Sequence, residues 1–432
     1  MIIGFDVTWM EADNKFGGTF QYAVRLISAI VEHTDATVVA IISKSGKDIF
    51  SHLKAHRNFR DVLVSSPFLL RDIVERENIN LIHTPIQYFP SLTLSVPMIT
   101  TLHDLQHFYY PEFFTADEIE FRNMLYRHSA EFSERVIVSF PHVKEDIVKF
   151  YSIPADKIDV CPLGAVKPQP VDNSKIDAIR KKYDIPSEYL FYSANTYRHK
   201  NHINLIRALK ILHERYGRRI SLVCTGQKIA DTYSELESEI AHLGLRKFVY
   251  FTGYIPEDEV HLLLRNATLT VIPTLYEAGS FPLMEAMAYE VPVICSNVTS
   301  LPETLGDMRF VFDPKDIVQI AEKAEKMLED EKLMEENRVI SRDRVDQGGW
   351  DKVVHIFLNS YRRAMEEFKQ KDADSLRTRM KYYELISHKF SEGLSNKCND
   401  LLNTINAYNN STSWKATAPA RAIKAFLGRT LK

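Results

Sequence analysis

Hydrophobic residues along this chain fall into two alternating kinds of run. Short β-branched stretches, "MIIGFDV", "ATVVAIIS", "INLIHT", "VPMITTLHD" and "ERVIVSF", read as strands in the first third. Between them lie longer amphipathic stretches such as "TFQYAVRLISAIVEH", where Tyr22, Leu26, Ile27 and Ile30 share one helical face. Near-continuous apolar strands separated by helices imply a parallel sheet covered on both faces. The rhythm pauses at "VCPLGAVKPQPVDNSK", where proline is frequent and periodicity is lost, so residues 164–173 read as a linker. It resumes with "YLFYSAN", "RISLVCTG", "FVYFTGY", "TLTVIPT" and "VPVICS", and stops after "GGWDKVVHIFLNSYRRAMEEF". The pattern predicts an α/β protein of two doubly wound, Rossmann-like domains, 1–168 and 169–368, with a cleft between them. The helix near 350–368 is a candidate to cross back to the first domain, and 369–432 reads as a helical tail. In such sheets ligands bind beyond the carboxyl ends of the strands.

Composition narrows the class. The chain has 432 residues, 45% hydrophobic and 26% charged, which suits two or three soluble globular domains. A net charge of −3 and a pI near 6.6 argue against a general nucleic-acid binder. No apolar run approaches the ~18 residues of a membrane span. The start, "MIIGFDVTWM", lacks a basic region and carries Asp6, which argues against a signal peptide and for a cytoplasmic protein. Cys161, Cys224, Cys295 and Cys398 lie far apart without metal spacing, as free thiols in a reducing compartment would.

The chemistry concentrates in "PTLYEAGSFPLMEAMAYEVPVICSNVTSLPE". Glu277 and Glu285 have seven residues between them, after an apolar strand and at the start of an apolar helix. Pro282 suits the first helical turn, and the helix N-terminus, with its free N–H groups and dipole, favours a phosphate. Gly279 lets backbone approach closely. Glu285 would then accept hydrogen bonds from ribose hydroxyls, and Glu277 would reach a sugar. The plainer alternative makes Glu285 a complement to the helix dipole and Glu277 an exposed loop acid. Glycine, proline and strand end all agree on the site.

This block resembles the Glu–seven–Glu signature of retaining glycosyltransferases of family 4, which have the GT-B fold. Other segments match in order: "FGGTFQYAVRL", "TLHDLQHFYYPEFF", "VCPLG", "YSANTYRHKNHINLIRAL", "FTGYIPEDEV" and "SLPE". The resemblance covers residues 1–368 and implies the following roles. His103 and Glu277 would be catalytic, His103 lying against the donor sugar. Gly17 and Gly18 would let the first loop close over the diphosphate, and Asp104 would orient the His103 loop. Lys200, with Arg198 nearby, would neutralise the pyrophosphate; Ser280, Phe281, Pro282, Leu283 and Glu285 would complete the donor site with Gly279. A leaving diphosphate develops charge, and a lysine can absorb it without a metal. No cofactor or metal is expected, only the nucleotide-sugar substrate. His199 and His202 lack partners at metal spacing.

Two departures stand out. The arginine that many members carry before the lysine is replaced by Asn195 and Thr196, and the glycine-phenylalanine-glycine after the first glutamate reads "AGS". "HDLQH" with "HKNH" is most similar to mannosyl- and rhamnosyltransferases of bacterial surface polysaccharide, O-antigen type. The expected reaction is transfer of a hexose, mannose from GDP-mannose first, to an oligosaccharide or lipid-linked acceptor. Rhamnosyl or other hexosyl transfer remains an alternative. From other classes, a GT-B nucleotide-sugar isomerase and a non-catalytic sugar-binding protein also remain. No G-x-G-x-x-G follows a predicted strand, against a dehydrogenase. The Asp372–Asp374 triplet in the polar tail reads as solvated surface rather than a metal motif.

In the tail, Tyr382, Ile386, Phe390 and Leu394 recur every four residues, as a packed helix would. Residues 411–432 carry Lys415, Arg421, Lys424, Arg429 and Lys432, no acid, and Trp414 with Ile423, Phe426 and Leu427. This composition suits peripheral contact with an anionic membrane surface, the inner face of the plasma membrane.

Overall fold

The computed structural model describes residues 1–11, 17–65, 70–87 and 94–369. The tail, with its apolar stripe, the Asp372–Asp374 triplet, Cys398 and the basic stretch 411–432, lies outside the described residues. Among the described residues two parallel sheets form. The first comprises β1 (Ile2–Asp6), β2 (Thr37–Ser43), β3 (Phe59–Val64), β4 (Leu81–Thr84), β5 (Met98–Thr101), β6 (Arg135–Val138) and β7 (Ile158–Val160), in the order β3-β2-β1-β4-β5-β6-β7. The second comprises β8 (Tyr189–Ser193), β9 (Ser221–Thr225), β10 (Val249–Gly253), β11 (Leu269–Ile272), β12 (Val293–Ser296) and β13 (Val311–Phe312), in the order β10-β9-β8-β11-β12-β13. Each order reverses once, between β1 and β4 and between β8 and β11, and those reversals open the crevices where ligands sit in such sheets.

Central strands read as unbroken apolar runs because helices cover both their faces; β2, for instance, is buried from Val38 to Ile42. β3, β7 and β13 were not anticipated. β3 is an edge strand whose residues Arg60 and Leu63 are exposed. β7 and β13 span only three and two residues.

Two large apolar cores hold the lobes, and a smaller cluster around Leu102, Val136 and Ile147 lies in the first lobe. The first gathers Phe5, Tyr22, Leu26 and Ile27, then takes Val354, Phe357 and Tyr361 from the helix Trp350–Lys369. That helix packs on the helix Gly18–His33 and against β5 and β6, so it belongs to the first lobe although it follows the second. The helix Phe281–Ala288 serves both cores. Phe281, Met284 and Ala288 enter the first, whereas Leu283, Ala286 and Met287 enter the second. Each large side chain so buried contributes about 1.5–3 kcal/mol, so this one helix binds the lobes together.

The chain passes between lobes twice, and the passages touch. The Ala165 amide donates to the Gly348 carbonyl at 2.6 Å, and Ala165 bridges Gly349 in parallel. Gly164 lies so close to Trp350 that a Cβ there would stand 2.3 Å from the indole.

Candidate active site

A cleft of about 400 Å³ opens between the lobes, lined by residues from both. Gly18, His103 and Asp104 come from the first lobe, and Lys200, Glu277, Gly279 and Phe281 from the second. Sequence neighbours did not bring these together; the carboxyl ends of β5 and β11 did.

Lys200 reaches the cleft by a specific turn. Arg198–Lys200 form one 3-10 turn, and Asn201 follows with φ of 58°, the left-handed region that asparagine tolerates better than most residues. The Asn201 amide donates to the carbonyls of Pro273 and Pro314, at 2.8 and 2.9 Å, and so ties the turn to the ends of β11 and β13. Lys200 Nζ then lies 2.6 Å from Glu277 Oε1. Burial raises the Glu277 carboxyl above its usual range, while Lys200 draws it down. His199 also lines the cleft, and burial, with Lys200 beside it, pushes its ring down to about 3, so it is neutral. His202 is a packing residue between Tyr192 and Phe251.

His103 is half-buried on the opposite wall. Burial lowers its pKa, and Nε2 stands 3.3 Å from the Pro85 carbonyl. A carbonyl only accepts, so Nε2 carries the proton and Nδ1 is left as an acceptor. The Tyr22 ring stands nearly perpendicular to that of His103, with 4.8 Å between centroids. Behind Tyr22 runs a buried chain: its hydroxyl lies 3.0 Å from Thr101 Oγ1, Thr101 Oγ1 lies 2.8 Å from His83 Nε2, and His83 Nδ1 lies 2.8 Å from the Tyr361 hydroxyl. Burial holds His83 neutral, its pKa pushed down to about 3. The Asp104 carboxylate accepts the Gln106 amide N–H at 3.1 Å, which closes the loop after β5.

Gly17 has φ of 112°, which a side chain rarely adopts, and starts the helix Gly18–His33 with no side-chain cap. Among the described residues no side chain caps this first turn, and Gly18 and Thr19 line the cleft wall there. Gly279 lines the cleft and also meets the other lobe. A Cβ there would meet Leu163 at 2.7 Å and Phe140 at 2.8 Å, both from the first lobe.

The remaining expected donor residues lie elsewhere. Ser280 is buried and caps its helix, its hydroxyl accepting from the Leu283 amide at 3.4 Å. Pro282 and Leu283 build that helix start. Arg198 turns outward to pair with Glu235. Glu285 is off the cleft lining: its Oε1 lies 3.3 Å from Arg25 Nη2 of the first lobe, and Arg25 also covers the Phe281 ring at 4.6 Å. Burial lifts the Glu285 carboxyl to about 7 despite Arg25.

Sequence reading missed several cleft residues. Tyr22, Gln106, Arg122, Tyr126, Ser139 and Tyr276 all line it. Ser139 follows β6 at its carboxyl end, and its buried hydroxyl has no partner. A serine directly after an apolar strand was the available signal. Among the described residues, no group of three or more His, Cys, Asp or Glu is placed to hold a metal ion, and no helix is long and apolar enough to cross a membrane.

Comparison with known proteins follows the two lobes. A model described as Glycosyltransferase Family 4 matches residues 16–165, and one described as Glycosyl transferases group 1 matches residues 175–344. The chain is 26% identical over 267 residues to O-antigen chain mannosyltransferase B of Escherichia coli, covering 61% of this chain and 70% of that protein. It is 27% identical over 318 residues to O-antigen chain mannosyltransferase RfbU of Salmonella typhimurium, covering 69% and 84%. Against the serotype-specific mannosyltransferase WbdA of Escherichia coli, 24% identical over 296 residues, the match spans only 36% of that longer protein. Among solved structures, sucrose-phosphate synthase from Thermosynechococcus elongatus superposes with a TM-score of 0.67 at 18% identity, over 84% of this chain and 98% of that one. WaaG, a glycosyltransferase involved in lipopolysaccharide biosynthesis, gives 0.60 at 17%, over 82% and 97%. At these identities the structural likeness speaks for the fold.

Proposed function

Since the chain belongs to the GT-B glycosyltransferases, its first lobe of the family 4 type and its second of group 1, and uses a nucleotide-sugar donor, we propose that it transfers mannose from GDP-mannose to a growing, lipid-linked polysaccharide of the O-antigen type. The names of its relatives support mannose. The single observation that carries the chemistry is the Lys200–Glu277 pair at 2.6 Å, facing His103 across the cleft.

In this reading the diphosphate lies against Lys200 and the helix start at Gly18, and the sugar lies between Glu277 and His103. An acceptor hydroxyl attacks the anomeric carbon on the face that the diphosphate leaves. The carbon–oxygen bond to phosphate breaks as the bond to the acceptor forms, and the hydroxyl proton passes to the departing phosphate oxygen. Configuration is retained. Lys200 stabilises the charge that develops on the leaving group, a role that elsewhere falls to a metal, and transfer is metal-independent. Neutral His103 offers Nδ1 to a donor hydroxyl, and Glu277 accepts from another. The basic stretch 411–432 keeps the enzyme on the anionic inner face of the plasma membrane, where a lipid-linked acceptor is found.

A thermal-shift screen with GDP, UDP and dTDP, followed by transfer assays with the matching sugars, tests this function. A ligand at 100 times its Kd stabilises by about 2.7 kcal/mol. GDP should give the largest shift, and GDP-mannose turnover should survive a chelator. A protein that none of the three diphosphates stabilises is not this enzyme.

A further inference from the structure

Arg122 lines the cleft from the helix Ala116–Phe132 of the first lobe. Its guanidinium lies 4.4 Å from the Phe114 ring centroid and 5.7 Å from that of Tyr126. Among the described residues, none forms an ion pair or hydrogen bond with it. Glu118, one turn earlier, accepts from Thr115 at the helix start instead. The other basic groups of the region are committed, Arg198 to Glu235 and Lys200 to Glu277. The field of Arg122 reaches the opposite wall, where it adds to the effects of burial and Lys200 that keep His199 neutral.

The same cleft holds a second unmet donor. Gln106 is 8% exposed, lines the same cleft, and its Nε2 is buried with no partner. Asp104, a carboxylate of the same cleft wall, already accepts the Gln106 backbone N–H. A buried amide N–H without an acceptor is costly until a ligand supplies an oxygen, and the Arg122 guanidinium, laid over two rings, is free to bind one too. The planar fork of arginine fits the oxygens of a phosphoryl group two at a time.

We propose that Arg122 and Gln106 form a phosphoryl-oxygen site on the first lobe, facing Lys200 across the cleft. The donor diphosphate would then be held from both sides. Arg122 would provide the second cation that Asn195 and Thr196 cannot, and that Arg198, tied outward, does not. The inference rests on the nucleotide-sugar function proposed above.

Calorimetry on the full chain tests it, using whichever of GDP, UDP and dTDP the wild type binds, the corresponding nucleoside, and farnesyl phosphate. Arg122→Gln should weaken the diphosphate about tenfold or more and leave the nucleoside unchanged. Arg122→Lys should recover part of that loss. Gln106→Glu, close in shape, should weaken the diphosphate too, because its carboxylate repels the oxyanion. Should Arg122→Gln spare the diphosphate but weaken farnesyl phosphate, the site stands and its phosphoryl group belongs to the acceptor. Unchanged affinity for both ligands in the folded Arg122 and Gln106 variants overturns the site. Failure of the wild type to bind any diphosphate would instead count against the proposed function.

Discussion

Arg25 and Glu285, 260 residues apart in the chain, meet at 3.3 Å where the first lobe touches the helix Phe281–Ala288. The pair couples the lobes at the second glutamate of the signature. Its carboxyl is nevertheless lifted from 4.5 to about 7, because burial outweighs the guanidinium.

That shift makes stability depend on pH in a defined window. The folded protein keeps a proton on Glu285 that the unfolded chain releases above about pH 4.5. Stabilisation from this group is complete below that value and is lost as pH rises through about 7. Glu285→Gln should remove the dependence. Its stability relative to wild type should therefore improve between pH 4.5 and 7.5, by up to roughly 3 kcal/mol. Denaturant melts of the two proteins that stay parallel across this range would contradict the assignment.

Lys200 and Glu277 should behave as a unit. Lys200→Met leaves a carboxylate in a nearly closed site, at up to about 3 kcal/mol of stability. Adding Glu277→Gln should restore most of that stability while turnover stays lost. Diphosphate affinity should fall in both proteins, tenfold to a hundredfold by the usual strength of a charge-assisted hydrogen bond. Unchanged diphosphate binding in Lys200→Met would remove Lys200 from the donor site.

The buried chain from Tyr361 to Tyr22 should act on His103 rather than on the donor. Tyr361→Phe removes one hydrogen bond, about 1.4 kcal/mol, or tenfold in rate if it is felt at the reacting centre. Turnover should fall by about that factor with diphosphate affinity intact, and His103→Ala should lower turnover about a hundredfold with the same affinity. Equal turnover in wild type and Tyr361→Phe would reduce the chain to a structural role.

Gly279 offers a steric test. Gly279→Ala places a methyl 2.7 Å from Leu163 and 2.8 Å from Phe140, so the lobes cannot meet as they do. Overpacking of this kind costs typically ~1–3 kcal/mol. Turnover should fall, and Leu163→Ala in the same protein should recover part of it. If the double variant is no better than Gly279→Ala, the glycine is required for something other than lobe contact.

What could be read from the chain alone followed its local patterns. Apolar runs such as that of β2 announce buried parallel strands because both faces are covered. β3 escaped because Arg60 and Leu63 face solvent at a sheet edge, and β13 because two residues make no pattern. Glu277 and Gly279 were legible because strand, loop and helix follow one another within a dozen residues. The contacts of Glu285 with Arg25, of Gly279 with Phe140, and of His83 with Tyr361 join residues more than a hundred positions apart. No local periodicity encodes such pairs, so their partners appear only in the fold. Gly279 shows the difference: its place beside the cleft was legible, its contact with Leu163 and Phe140 was not.

The helix Trp350–Lys369 has a consequence for how the protein is made. A ribosome completes β7 at Val160 long before it reaches Trp350, yet Val354, Phe357 and Tyr361 close the first core. At ~5–20 residues per second, the first lobe waits ~10–40 s with one apolar face uncovered while the second is synthesised. The nascent chain must be shielded through that interval, and the lobe emerging first is the lobe finished last.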